Sequence, residues 1–449
     1  MAQSNPAATA VRNIWNTTEL KEKILFTLLC LLIYRIGAHV TAPGVNPAAL
    51  VDFFRQQSNG GGLLGLYDLF TGGQLSRATV FALGIMPYIS ASIMFQLLAT
   101  VIPSIEKMQK EGEDGRKKLT QYTRYATVVL SMFQAYGYAM FLETQVPGAV
   151  SNPGWGFRTM MILALTTGAV FVMWLGEQIT ERGIGNGMSL LIFFSILEGL
   201  VPGLVITGQQ VANGDIKPFG VVVLLVGMTA VIMGTVAITM AMRKIPVQIP
   251  QKVMGRGRIR QGQKSFIPLR INMAGVMPII FAQSIMILPA TAATFARNER
   301  LKEIAQYLQP GEPVYYLLFT VLIVFFTYFY TAIIYNPVDI AENLKKQGAF
   351  VPGVKPGART AEYIDRVMSR ISLPGAIFLA AIAIVPATME RTFGVTSLNR
   401  VLGGTGLLIC VGVALDTVQQ MQQHLLLRRY DGFMKKGRVK FRGRQQRYI

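Results

Sequence analysis

The chain has 449 residues, 51% of them hydrophobic and only 15% charged, with a mean hydropathy of +0.41. A soluble protein of this length would divide into two or three domains with polar surfaces. Here the apolar residues come in helix-length blocks, which excludes that class. The 43 Lys and Arg outnumber the 23 Asp and Glu, giving a net charge of +20; that would suit a nucleic-acid binder, but it suits equally a membrane protein that is basic on one side.

Ten apolar segments follow one another at 24–40, 78–103, 125–142, 157–176, 184–206, 218–242, 271–296, 313–338, 371–389 and 401–420. Four of them (78–103, 218–242, 271–296 and 313–338) run for 25 or 26 residues without a charge. That is enough for a tilted helix across a hydrocarbon layer about 30 Å thick. Backbone groups in lipid must pair internally, so the expected fold class is an all-α multi-span membrane protein with ten transmembrane helices. The N-terminus (1–23), the even-numbered loops and the tail (426–449) hold 33 Lys and Arg, whereas the odd-numbered loops hold 9 and Arg35 lies inside the first span. This bias predicts that both termini are cytoplasmic. The first 20 residues are polar, and the first span follows Lys21, Glu22 and Lys23 as an uncleaved helix would.

Ten spans divide into halves of five, 24–206 and 207–425. Five is odd, so the second half must enter the membrane inverted relative to the first. No convincing sequence identity between the halves is apparent.

Between spans 1 and 2, residues 60–76 read GGGLLGLYDLFTGGQLS. The apolar core of Leu63, Leu64, Leu66, Tyr67, Leu69 and Phe70 is too short to span. A short apolar helix between glycine clusters is re-entrant if it is buried in protein or lines a cavity. It is interfacial if it lies on the membrane surface. Spacing leaves both readings open.

Span 2 carries Ile85, Ile89 and Ile93 at intervals of four, on one helix face. Ordinary helix packing and pore lining would both produce that stripe. Pro87 in span 2 and Pro278 in span 7 are expected to break the helical ladder and loosen packing near the midplane.

The loop between spans 6 and 7, residues 243–270, has eight basic residues and no acidic one. Its VQI and SFI stretches around a central GRGR predict a hairpin-like finger. The loop between spans 8 and 9, residues 339–370, has six basic residues and the turn-rich GAFVPGVKPG. The tail adds nine more. Topology and lipid head-group contacts account for single basic residues. A long acid-free finger exceeds that need and points to an anionic partner, either RNA or an acidic protein surface.

Little in the chain points to catalysis. No P-loop or HExxH motif is present, and GIGNG at 183–187 opens a membrane helix instead of following a strand. Only Asp416 lies in a span-like segment, so an aspartyl dyad is not available. His39 and His424 lie near opposite faces, so no metal site is expected. Cys30 and Cys410 read as small buried hydrophobes. Spans 2, 6, 7 and 8 lack the midplane ionisable groups of a coupled transporter. Arg35 and Glu198 read as a structural pair or as snorkelling groups. The transporter reading therefore survives only for an uncoupled small solute.

The runs GGQLSRATVFALGIMPYISASI (72–93), EGEDGRKKLTQYTRY (111–125), MWLGEQITERGIGNG (173–187), INMAGVMPIIFAQSI (271–285), FYTAIIYNP (329–337) and LKKQGAFVPGVKPG (344–357) closely resemble the SecY family. These are the central subunits of the bacterial protein-conducting channel. The resemblance covers nearly the whole chain, in order and with matching loop lengths.

The resemblance implies two pseudo-symmetric halves hinged between spans 5 and 6, with a lateral gate between spans 2 and 3 on one side and spans 7 and 8 on the other. It makes the short helix at 60–74 a re-entrant plug. It implies a pore ring of Ile85, Ile89, Ile93, Ile192, Ile280 and Ile409, softened by the neighbouring Met188 and Met277. Ser90, Gln134 and Asn272 match gate-lining positions. Interhelical hydrogen bonds there, worth roughly 0.6 kcal/mol each in a membrane, would tune opening. Arg243, Lys244, Arg256, Arg258, Arg260 and Lys355 fall on the docking surface for the ribosome, including its RNA, and for the SecA motor. Lys355 stands where Arg is common, so the charge is kept and the bidentate fork lost. Further implied partners are SecE and SecG, signal peptides, nascent chains and lipids. The implied location is the bacterial inner membrane, and neither cofactor nor catalytic residue is implied.

Overall fold

The computed structural model describes residues 18–57, 67–68, 71–214, 218–248, 253–254, 258–259, 264–295, 307, 312–393 and 404–436. Its first half contains α1 (Thr18–Gly37), α2 (Pro47–Gln57), α3 (Met86–Val101), α4 (Pro103–Lys110), α5 (Glu113–Gln145), α6 (Trp155–Arg182) and α7 (Gly187–Ala212). The second contains α8 (Pro218–Met240), four short strands, α9 (Met277–Phe295), α10 (Pro313–Ile334), α11 (Pro337–Lys346), α12 (Ala358–Phe393) and α13 (Gly404–Lys436).

Every one of the ten predicted spans coincides with a helix: α1, α3, α5, α6, α7, α8, α9, α10, α12 and α13. Among the described residues, α6, α7, α8, α10 continued by α11, and α12 are long and apolar enough to cross a membrane on length and composition alone. Helices α3 and α4, bent by 108° at their junction, make a sixth candidate. The protein is an all-α multi-span membrane protein.

Spans 2 and 7 begin later than predicted, and their prolines do something other than expected. Residues 78–85 and 271–276 form turns, and the helices start at Met86 and Met277. Gly84 and Gly275 take φ of 54° and 63°, left-handed values that end any preceding helical run. Pro87 and Pro278 are each the second residue of their helix, where the N–H would have no intrahelical partner anyway. They start these helices instead of breaking them.

The antiparallel pair α5 and α6 is clamped near both ends. Arg124 Nε and NH2 each lie 2.9 Å from a carboxylate oxygen of Glu177. Near the other end Arg158 donates to Glu143 Oε2 at 2.8 and 2.6 Å. The Arg124–Glu177 pair, with two donors on two oxygens, fixes orientation as well as distance, while the second carboxylate oxygen of Glu143 accepts from the Gly154 N–H at 3.0 Å. The turn segment 71–85 then packs against this pair. Tyr138 on α5 donates to the Leu75 carbonyl at 2.7 Å. Gly168 on α6 lies against the Val80 carbonyl so closely that a Cβ would come within 2.0 Å of it.

The two long basic loops form one body. Strands β1 (Met242–Gln248) and β4 (Lys264–Arg270) pair antiparallel, Met242 opposite Arg270 and Gln248 opposite Lys264. A short pair, β2 (Val253–Met254) with β3 (Arg258–Ile259), lies beyond them, as the predicted finger requires. Gln248 and Phe350 exchange backbone hydrogen bonds of 2.9 and 3.0 Å, joining the hairpin to the second loop. Behind this bridge Ile245, Val247 and Leu269 pack with Ala349, Val351, Ile364 and Met368 in a core separate from the main one.

Candidate functional site

A cavity of about 340 Å³ opens among α3, α5, α6, α7, α9 and α10. Its lining includes Ile89 from α3, Ile192 from α7 and Ile280 from α9, with Met188, Met277 and Phe281 beside them. The polar part of the lining holds Gln96, Thr120, Thr180, Asn186 and the Arg124–Glu177 pair. One cavity thus carries both an aliphatic wall drawn from both halves and a region lined by charged and polar side chains.

All six predicted isoleucines are buried in the main core, none more than 6% exposed. Ile89, Ile192 and Ile280 line the cavity; Ile85, Ile93 and Ile409 are not among its lining residues. Helix starts account for these positions. Ile89 follows Pro87 on the first turn of α3, and Ile280 follows Pro278 on the first turn of α9. Ile192 lies on the second turn of α7, whose N-terminus is capped by Asn186. The Asn186 Oδ1 accepts from the backbone N–H of Met188 and Ser189 at 3.1 and 3.4 Å.

The GIGNG stretch is a junction between helices. The Ile184 N–H donates to Thr27 Oγ1 on α1 at 3.1 Å, and the Gly185 N–H donates to Gln420 Oε1 on α13 at 3.0 Å. Gly185 takes a φ of 84° to make the turn. Backbone donors that could have faced an anion are used to tie α7 to the first and last helices.

Helix α9 packs on both α3 and α5, across the seam where the resemblance puts the lateral gate. Ser90 is buried on α3. The Asn272 Nδ2 donates to the Gly275 carbonyl at 3.0 Å, within its own turn and not across the seam. The Asn272 Oδ1 and Gln134 Oε1 are buried with no hydrogen-bond partner among the described residues.

Of the residues predicted for the plug, Tyr67 is described. It is 5% exposed, and its phenol donates to the Leu83 carbonyl at 3.1 Å. Leu63, Leu64, Leu66, Leu69 and Phe70 lie outside the described residues. On the loop platform Arg243, Lys244 and Lys355 are exposed, and Lys244 Nζ sits 4.8 Å from the centre of the Phe266 ring. Arg258 belongs to β3, while Arg256 and Arg260 lie outside the described residues.

Two features escaped the sequence reading, and a third was one of its alternatives. The Arg124–Glu177 pair had a signal: opposite charges at the same end of two antiparallel neighbours. Arg35 and Glu198 form an ion pair between α1 and α7, one of the two readings their positions allowed. The buried contact of Tyr34 with Gln74 and Ser195 had no periodic signal at all.

The model of the family described as SecY matches residues 79–418. The chain belongs to the SecY family. It is 43% identical over 431 residues to the protein translocase subunit SecY of Aquifex aeolicus (strain VF5), covering 95% of this chain and 99% of that one. To the protein translocase subunit SecY of Escherichia coli (strain K12) it is 44% identical over 432 residues, covering 95% and 96%. A solved structure of a protein-conducting channel superposes with a TM-score of 0.66 at 17% identity, over 94% of this chain and 95% of that chain. Sec61 in the canine ribosome–channel complex from the endoplasmic reticulum superposes with a TM-score of 0.62 at 16% identity, over 94% and 95%. SecY is a family of protein-conducting channels and not of enzymes, and the fold described here is that channel fold.

Proposed function

We propose that the chain is the protein-conducting subunit of a bacterial inner-membrane translocase, with both termini cytoplasmic. It passes unfolded secretory polypeptides across the membrane and releases transmembrane segments sideways into lipid. One observation carries this reading. Isoleucines from α3, α7 and α9, drawn from both halves, form an aliphatic wall in a cavity whose remaining lining includes the polar Gln96, Thr120, Thr180 and Asn186 and the Arg124–Glu177 pair.

A pore that passes any sequence cannot hold a specific binding site. A ring of branched aliphatic side chains offers neither strong attraction nor charge. It closes around a chain as a gasket and excludes water when empty. Apolar segments of the substrate then leave through the seam of α3 and α5 against α9 and α10. The drive is about 25 cal/mol per Å² of apolar surface removed from water.

In this reading Ile85, Ile93 and Ile409 complete the ring once the helices separate, and residues 60–74 plug it at rest. Ser90, Gln134 and Asn272 adjust how readily the seam parts. The finger and the second basic loop dock the ribosome and the SecA motor, and SecE and SecG complete the complex. The exposure of Arg243, Lys244 and Lys355 on one joined platform supports that surface.

Reconstitution into liposomes tests the reading. A secretory polypeptide should cross only when the motor or a translating ribosome is supplied. Saturable uptake of a metabolite without either would favour the uncoupled transporter.

A further inference from the structure

We propose that Tyr34 is the hub of a latch that holds the turn 71–79 on the pore-ring helix α7 and thereby sets the threshold for channel opening. The proposal deepens the channel reading and rests on it.

The Gln74 Nε2 donates to the Tyr34 hydroxyl at 2.8 Å, and that hydroxyl lies 2.8 Å from Ser195 Oγ. The Ser195 hydroxyl in turn donates to the Leu191 carbonyl at 2.9 Å. Ser195 has a single proton, already given to Leu191, so Tyr34 must donate to Ser195. The three bonds therefore run in one direction, from the turn through α1 to α7, and end beside Ile192. Gln74, Tyr34 and Ser195 are each no more than 2% exposed.

The turn also sits directly on α7: a Cβ on Gly72 would come 3.1 Å from the Ser195 carbonyl oxygen. A chain of buried bonds joining a plug-side turn, a peripheral helix and a pore helix serves a closed state well. Any movement of α7 away from the turn must break it, and its groups then need new partners. The same turn is held to α5 by Tyr138 and Leu75, so a separation of α7 from the turn is the movement that this chain of bonds resists.

Tyr34→Phe keeps the ring, which stacks on Phe81 at 5.9 Å with planes 9° apart, and removes only the hydroxyl. Planar-bilayer recordings should show spontaneous openings about three- to thirtyfold more frequent than in the unaltered channel, the range expected for two lost hydrogen bonds. Ser195→Ala should raise openings as well. The double variant should open no more often than Tyr34→Phe, because both changes cut one chain of bonds. A merely structural role would lower the melting temperature without this shared ceiling.

A channel lacking residues 63–70 separates the possible failures. If it leaks while Tyr34→Phe and Ser195→Ala stay as silent as wild type, the latch is overturned and the channel reading stands. Independent, multiplying effects of the two substitutions also overturn the latch. If the deletion channel is silent too, the plug reading falls and the latch with it.

Discussion

Ile89 and Ile280 occupy the same place in the same turn, once in each half of the chain. Each lies five residues after a glycine in the left-handed region, in GIMPYI at 84–89 and GVMPII at 275–280. The backbone bonds repeat as well: Tyr88 and Ile89 donate to the Ile85 carbonyl, and Ile279 and Ile280 donate to the Val276 carbonyl. A second echo lies at the helix starts GMSLLI (187–192) and GTGLLI (404–409), which place Ile192 and Ile409 at the sixth residue of α7 and α13. Four of the isoleucines proposed for the ring thus come as two pairs from spans five apart, the pairing that inverted halves require.

The repeated glycines give a first prediction. An L side chain in the left-handed region costs about 1–2 kcal/mol, so Gly84→Ala and Gly275→Ala should each lower the melting temperature in detergent. Gly84→Ala should cost more, because its new Cβ would also come 3.1 Å from the Thr71 methyl, whereas the nearest atom to one at Gly275 lies at 3.8 Å. Equal melting of both variants and the parent would remove the strain argument.

The second concerns topology. Cysteines at Gly353 and Gly214 should label from opposite sides of the membrane, the first from the cytoplasm, as the split of 33 basic residues against 9 requires. Labelling of Gly353 only from outside would invert the whole arrangement.

Much of this was legible beforehand for a physical reason. Lipid forces helix-length apolar runs, so all ten segments found helices, and an acid-free loop with β-rich flanks found its hairpin. Helix starts were not legible. Ala78 to Ile85 are as apolar as the helix that follows, and only backbone angles at Ala78 and Gly84 reveal a turn there. The ring isoleucines came from a family resemblance; an Ile stripe alone reads as packing, and three of the six do pack away from the cavity. Gln74 and Ser195 lie 121 residues apart and meet only through Tyr34, a contact that no local period encodes.

A third prediction addresses the platform. Reversing Arg256, Arg258 and Arg260 to Glu should weaken ribosome binding and flatten its salt dependence, since several phosphate contacts and their counterion release are removed. Labelling at Gly353 should be unchanged, because many other basic residues remain on that side. Unaltered affinity at physiological salt would leave these charges with a topological role only.

A fourth tests whether the two loops act as one body. Ile245→Ala empties a fully packed site between the hairpin and the second loop, where Ile245 is 2% exposed. Such truncations cost about 2–5 kcal/mol. Protease should then cut the hairpin faster while cutting between α5 and α6 at the parent rate. Equal hairpin cleavage in variant and parent would show that the Gln248–Phe350 bridge suffices without this core.

The last prediction concerns the seal. Replacing Ile89 and Ile280 together with Asn exchanges two apolar walls of one cavity for groups that hydrogen-bond water. Burying an Ile-sized side chain is worth about 1.5–3 kcal/mol, so two losses should shift a closed state held by only a few kcal/mol. The resting channel should leak ions and accept weaker signal sequences. Deleting residues 63–70 should leak through a different element, so the combination should leak more than either change alone. Because the two isoleucines are symmetry mates on opposite halves, each single Asn should leak to a similar, smaller extent. Single-channel recordings in planar bilayers decide the matter. A double-Asn channel as silent as the wild type would make these residues packing groups and move the seal elsewhere.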